Sequence, residues 1–171
     1  MEIKCIGILI FILALLSKAS DITITSSRLD PKTDPNFYKP GTLRITKKSR
    51  NLMVVAGSFE LLQNAGEDVQ AVFTLLRKNI LTDQYWEVWA QNKPLCAFLN
   101  EDTFVLPALR EVSNLPEAGT CPIPKGRYNI DNYKHALSNE IPLPPGDYLL
   151  VAQTTREGRL IVGMEWSATV Q

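Results

Sequence analysis

The sequence predicts an all-β protein: two antiparallel sheets packed as an immunoglobulin-like sandwich, with one short helix. Three observations carry that reading. Near the C-terminus, Tyr148, Leu150, Ala152 and Thr154 alternate with Leu149, Val151 and Gln153. After Glu157-Gly158 the apolar positions Leu160, Val162, Met164, Trp166, Ala168 and Val170 repeat with period two, the spacing of side chains on one face of a strand. Clusters of Gly, Pro and Asn separate such runs, as turns between short strands require. A helical period shows in one segment, near Phe104 to Val112. Strands that follow one another without intervening helices pack as facing antiparallel sheets rather than as parallel α/β units.

Taken in order, Met1 to Lys4 is short and charged, Cys5 to Leu16 is unbroken and apolar, and Ser17-Lys18-Ala19 offers small residues for cleavage. This is the pattern of a secretory signal peptide. A membrane-spanning helix needs about 20 apolar residues, and this run is shorter. Cleavage after Ala19 leaves residues 20–171 as a single domain, long enough for one core to bury about two-thirds of its unfolded surface. Ile22 to Thr25 reads as a first strand, followed by a proline-rich loop. Thr42 to Lys47 and Asn51 to Leu62 flank Lys48-Ser49-Arg50, with Met53, Val55, Gly57, Phe59 and Leu61 on one face. Beyond the turn Asn64-Ala65-Gly66-Glu67, Val69, Ala71, Phe73 and Leu75 oppose Gln70 and Thr74, so these two runs are expected to form a hairpin. Tyr85 to Ala90 is a short aromatic strand, with Trp86 and Val88 near its middle and Trp89 pointing the opposite way. Phe104, Ala108, Leu109 and Val112 recur at helical spacing. They predict a helix from about Leu106 to Ser113, with Pro107 tolerable only near its first turn. The last two runs form a hairpin whose Gly158 takes a positive φ.

Composition narrows the partners. Lys+Arg and Asp+Glu are equal at 18 each, so no net field draws nucleic acid or an anionic surface. A loose basic cluster of Lys32, Arg44, Lys47, Lys48 and Arg50 is diluted by Asp30 and Asp34 and reads as a solvated strand edge. Of three cysteines, Cys5 leaves with the signal, and Cys96 and Cys121 remain. In an oxidising compartment such a pair is a disulfide. Nucleophilic catalysis by cysteine needs a histidine base, and the single histidine, His135, lies in a polar stretch with no flanking pattern. There is no Gly-x-Ser-x-Gly elbow, no His-Glu-x-x-His and no Cys/His spacing for zinc, so hydrolase and metal chemistry have no carriers here. No cofactor is expected.

Two proline corners stand out: Cys121-Pro122-Ile123-Pro124-Lys125-Gly126-Arg127-Tyr128 and Pro142-Leu143-Pro144-Pro145-Gly146-Asp147-Tyr148. Proline fixes φ and lacks an N–H, so strands stop cleanly at such corners and leave an open rim. With Leu95-Cys96-Ala97-Phe98-Leu99-Asn100 and Asn114-Leu115-Pro116, their order resembles the C-terminal half of the ganglioside-activator-like proteins. These are lipid binders of the MD-2-related lipid-recognition (ML) type, and the likeness extends to a large insect family of small secreted proteins. The resemblance covers the last half of the chain. It implies a cup between two separated sheets that holds an acyl chain or other apolar ligand. For the insect chemosensory branch it also implies a role in detecting hydrophobic cues such as cuticular pheromones. This chain departs from the ganglioside activator in offering one disulfide in the mature region, against several there.

By residue type alone, Phe59, Phe73, Trp86, Leu150, Met164 and Trp166 are core residues of a sandwich. If the cup that the resemblance implies is present, they are its lining. The expected function is therefore a secreted, non-enzymatic binder of a hydrophobic small molecule or lipid, possessing no membrane span after cleavage and acting in insect chemosensation, with a chemosensory receptor as a further partner. The alternative is a secreted accessory protein that binds a receptor or a lipid-acting enzyme.

Overall fold

The computed structural model describes residues 22–49, 52–103, 105–134 and 143–171. The predicted signal peptide, and with it Cys5, lies outside the described residues, as do Arg50, Phe104 and His135. The described residues form two antiparallel sheets. In the first, the order is β1 (Ile22–Leu29), β9 (Arg159–Val170), β8 (Gly146–Arg156), β5 (Val69–Lys78) and β6 (Tyr85–Pro94). The second is built on β4 (Leu52–Leu61). Strand β7 (Gly126–Lys134) runs along one edge of β4, and β2 (Tyr38–Pro40) and β3 (Arg44–Ser49) succeed one another along the opposite edge. Two seven-residue helices, α1 (Leu95–Glu101) and α2 (Val105–Glu111), stand between β6 and β7.

The two-sheet architecture agrees with the sequence reading, and four details differ. First, Asn51 to Leu62 and Val69 to Leu75 do not form a hairpin. Strand β4 pairs with β2, β3 and β7, whereas β5 pairs with β6 and β8, so the segment between them crosses from one sheet to the other. Ala65 is held there by a reciprocal pair of backbone hydrogen bonds with Ile123, 3.0 and 2.8 Å. Second, the described residues hold two helices where one was expected. The expected helix is α2, which begins where the Asp102 carboxylate accepts from the amides of Val105 and Leu106 at 2.9 and 2.6 Å. This cap leaves Pro107 in the first turn, where its missing N–H costs nothing. Helix α1 is too short to show a period.

The third and fourth differences are bulges, each of which inserts an extra residue into one strand and reverses the facing of the residues beyond it. On β6, Leu75 faces Trp89 while Leu76 faces Glu87. Val88 is therefore the extra residue, and Trp86 and Trp89 share a face instead of opposing one another. On β9, Thr154 faces Val162 while Thr155 faces Leu160. Leu160 leaves the period-two row, and the bulged Ile161 is buried. The other five members of that row keep their common face, and the closing turn has Glu157 at φ 51° and Gly158 at φ 75°, the left-handed pair of a two-residue hairpin.

The sheets are joined at one end by a sealed cluster of Phe37, Tyr38, Ala65, Val69 and Ile161, with Phe59, Leu61, Leu95 and Ile123 against it. Val69 there is 0% exposed. Arg156 clamps the same end: its guanidinium pairs with Asp68 at 2.6 Å, donates to Gln63 Oε1 and the Asn64 carbonyl at 3.1 and 3.0 Å, and lies over the Phe37 ring. The two proline corners share one construction. Tyr128 Oη donates to the Pro124 carbonyl at 2.5 Å, and Tyr148 Oη to the Pro144 carbonyl at 2.7 Å. Each tyrosine thus reaches back four residues to tie its corner to the start of a strand, one in each sheet. The disulfide Cys96–Cys121, with Cα atoms 5.8 Å apart, fastens α1 to the first corner.

Candidate functional site

The inner face of the five-stranded sheet is fixed by register, because directly paired residues in antiparallel strands project to the same side. Phe73 faces Ala152 and Leu75 faces Leu150. Ala152 in turn faces Met164, and Leu150 faces Trp166. Leu29 of β1 extends the row beyond Met164. The result is a continuous apolar surface across four strands, turned the same way as Val69 and Val162 of the sealed cluster. It carries no ionisable group until Arg77, whose guanidinium donates to the Pro145 carbonyl at 2.8 Å and lies 5.8 Å from the Tyr148 ring centre.

Burial divides this surface. Val69 and Ala71 are buried, but Phe73, Leu75, Leu150, Ala152, Met164 and Trp166 all keep partial exposure although three of their strands are interior to the sheet. In a sandwich with a filled interior, central-strand residues on the inner face are covered by the opposite sheet. Here that cover is incomplete beyond the closed end. Phe98 of α1 supplies part of it, its ring 4.6 Å from that of Phe73.

Of the six candidate lining residues, Phe73, Leu150, Met164 and Trp166 come together on this face. Phe59 belongs to the other sheet. It sits between Tyr38 and Tyr128, ring centres 5.7 and 5.4 Å away, and packs on the sealed cluster. Trp86 shares the inner side with Arg77 by register, but it stands at the rim on edge strand β6 and is 50% exposed. Sequence reasoning left out Leu75, Ala152 and Phe98 as candidates. Leu75 and Ala152 were visible in the period-two rows, whereas Phe98 lies on a helix too short to announce itself.

A recess of about 320 Å³ opens at the rim. Its walls are Lys78, Ile80, Asp83, Gly146, Asp147, Thr169 and Val170, none of them among the six candidates. Lys78 pairs with Asp83 at 2.7 Å, and the hydrogen bond and charge of Asp83 push its ammonium pKa up. Thr169 donates to Asp147 at 2.9 Å. Lys78, Asp147 and Thr169 alternate with Arg77, Tyr148 and Ala168 of the inner side, so the recess is a mixed pocket at the strand ends whose polar walls lie on the outer side of the sheet. A second recess, about 20 Å³ beneath the helices between Leu106 and Ile123, is too small for a ligand. Glu67 lies beside Cys96 and Cys121, but both sulfurs are committed to the disulfide, which leaves no thiolate to hold a metal.

Three tyrosines of the smaller sheet have pKa values raised by burial: Tyr38, Tyr128 and Tyr133, the last also by the charge of Asp102. A raised native pKa means that the unfolded chain releases these protons first as pH climbs. Their contribution is fully present below about pH 10, the ordinary tyrosine value, and is lost above it. Urea midpoints are therefore expected to fall as pH passes about 10. A midpoint that holds steady through that range would show that these phenols ionise freely in the native state.

No characterised protein matched in a search of curated sequences. The structure is similar to the crystal structure of chicken MD-1 complexed with lipid IVa, at 16% sequence identity and a TM-score of 0.41, over 90% of this chain and 94% of that one. Residues 71–150, which run from β5 through both helices, the disulfide and both tyrosine corners into β8, match a family described as "Protein of unknown function (DUF1091)".

Proposed function

We propose that the protein is a secreted, non-enzymatic carrier that holds an apolar ligand, a lipid or a cuticular hydrocarbon, against the inner face of its larger sheet. The observation that carries this reading is the incompletely covered row of Phe73, Leu75, Leu150, Ala152, Met164 and Trp166. An apolar surface left open on central strands gains about 25 cal/mol for each Å² that a ligand removes from water. The charged start and apolar run before Ala19 and the Cys96–Cys121 disulfide favour an extracellular setting. An insect chemosensory role rests on the ganglioside-activator-like resemblance of the C-terminal half.

The test is native mass spectrometry of the purified protein for bound lipid, followed by uptake of a fluorescent fatty acid after delipidation. Wild type is expected to carry or take up the apolar molecule. Met164→Ala is expected to change selectivity among chain lengths while losing less stability than the about 2–5 kcal/mol of a packed-core truncation. No bound lipid, no uptake, and a Met164→Ala loss in the full packed-core range would make the interior solid. Binding to a receptor or to a lipid-acting enzyme would then be the better account.

A further inference from the structure

The hairpin joining β5 to β6 is unlike the rest of the surface. Residues 79–90 are exposed without interruption, and at the tip Ile80 and Leu81 are 89% and 94% exposed. Behind them stand Tyr85, Trp86 and Trp89, each between two-fifths and one-half exposed. The Val88 bulge brings both tryptophans to one side. Large apolar side chains concentrated at a protrusion mark an interaction site rather than ordinary surface.

Two further features say what the site meets. At the tip the amides of Asn79, Leu81, Thr82 and Asp83 are paired internally. Asn79 Oδ1 accepts from the amides of Leu81 and Thr82 at 2.8 and 3.2 Å, the Asn79 carbonyl accepts from the Asp83 amide at 2.9 Å, and the Asn79 amide donates to the Gln84 carbonyl at 2.8 Å. Amides paired in this way can leave water for an apolar medium without being stranded. The charges at its base, Lys78 and Asp83, neutralise one another at 2.7 Å. The edge is also poorly made for pairing with another strand, since the Val88 bulge interrupts it and Pro94 lacks an N–H, two devices that blunt edges.

We propose that this hairpin docks the protein on a neutral lipid surface, Ile80 and Leu81 entering the acyl region and Tyr85, Trp86 and Trp89 lying at the headgroup level. Tryptophan and tyrosine favour that level because their rings are apolar and their N–H and O–H groups are wet. The proposal stands apart from the carrier reading, since a vesicle can be bound with the inner face empty.

The experiment titrates the purified protein with phosphatidylcholine vesicles, reading co-sedimentation and the quenching of tryptophan emission by brominated lipid. Wild type is expected to bind and be quenched. The double variant Ile80→Ser/Leu81→Ser is expected to lose at least about tenfold in partition coefficient, with an unchanged circular dichroism spectrum because both side chains face solvent. Leu81→Ser alone, at a residue outside the rim recess and the inner face, should weaken vesicle binding yet still take up a monomeric fluorescent fatty acid as wild type does, which separates docking from carriage. Equal binding of the two proteins to vesicles, no binding by wild type, or binding confined to anionic vesicles and abolished by salt overturns the proposal. So does a concentration-dependent dimer in wild type that the variant lacks, which would assign the patch to a second copy of the chain.

Discussion

Phe59→Ala is expected to lower the unfolding free energy by about 3–5 kcal/mol, the range for removing a packed phenylalanine. The ring lies between Tyr38 and Tyr128 and against the sealed cluster of Phe37, Ala65, Val69 and Ile161. Truncation therefore removes two ring contacts, each worth about 0.5–1.5 kcal/mol beyond area burial, and leaves a hole where both sheets meet. A domain of this size carries about 5–15 kcal/mol in all, so the variant should melt about 6–20 °C lower. Chemical denaturation gives the number directly. A loss below about 1 kcal/mol would mean that the closed end tolerates a cavity and does not hold the sheets together. The contrast with Met164→Ala is the sharper part of the expectation: both residues occupy inner faces, but one faces a sealed contact and the other an incompletely covered surface.

Removal of the disulfide, as Cys96→Ala/Cys121→Ala, is expected to cost about 3 kcal/mol. The bridge closes a loop of 25 residues that contains α1, α2 and the long connection to β7. Among the described residues, a handful of polar contacts restrain that segment: Asp102 caps α2, Arg110 donates to the carbonyls of Leu99 and Pro116 at 3.1 and 3.0 Å, and Asn100 accepts from the Gly119 amide at 2.9 Å. Alanine is the right replacement, because Cys96 is buried and serine would add an unpaired hydroxyl. Unfolding of wild type with and without reductant should reproduce the effect of the double substitution. If the variant and the reduced protein both unfold within about 1 kcal/mol of the oxidised wild type, the helical segment is held by packing and the bridge is redundant.

Residues whose neighbours in space are also their neighbours in sequence were the readable ones. The rows on β5, β8 and β9 and the Glu157-Gly158 turn obey local rules, and four of the six candidate lining residues, Phe73, Leu150, Met164 and Trp166, fall together on the inner face because of them. The Cys96–Cys121 pair was readable for a different reason, since only two cysteines remain after the apolar N-terminal run. Trp86 and Phe59 show where such reading stops. Strand period places both on inner faces, but period carries no information about how far a strand lies from the middle of its sheet. Trp86 stands at a rim and Phe59 at a sealed end.

Sequence by itself determined that this chain is a β-sandwich with a disulfide-tied helical segment and apolar inner rows, because alternation, turn chemistry and cysteine parity are local or countable. Tertiary structure decided the rest. The β4–β5 connection became a crossover between sheets, since Ala65 pairs with Ile123 and the strands it joins find partners elsewhere. The bulges at Val88 and Ile161 turned Trp89 and Leu160 to other faces, for register depends on the partner strand and one extra residue reverses every side chain beyond it. Whether an apolar row is covered or open depends on the distance between two sheets, a quantity set by everything that packs between them and written in no single segment.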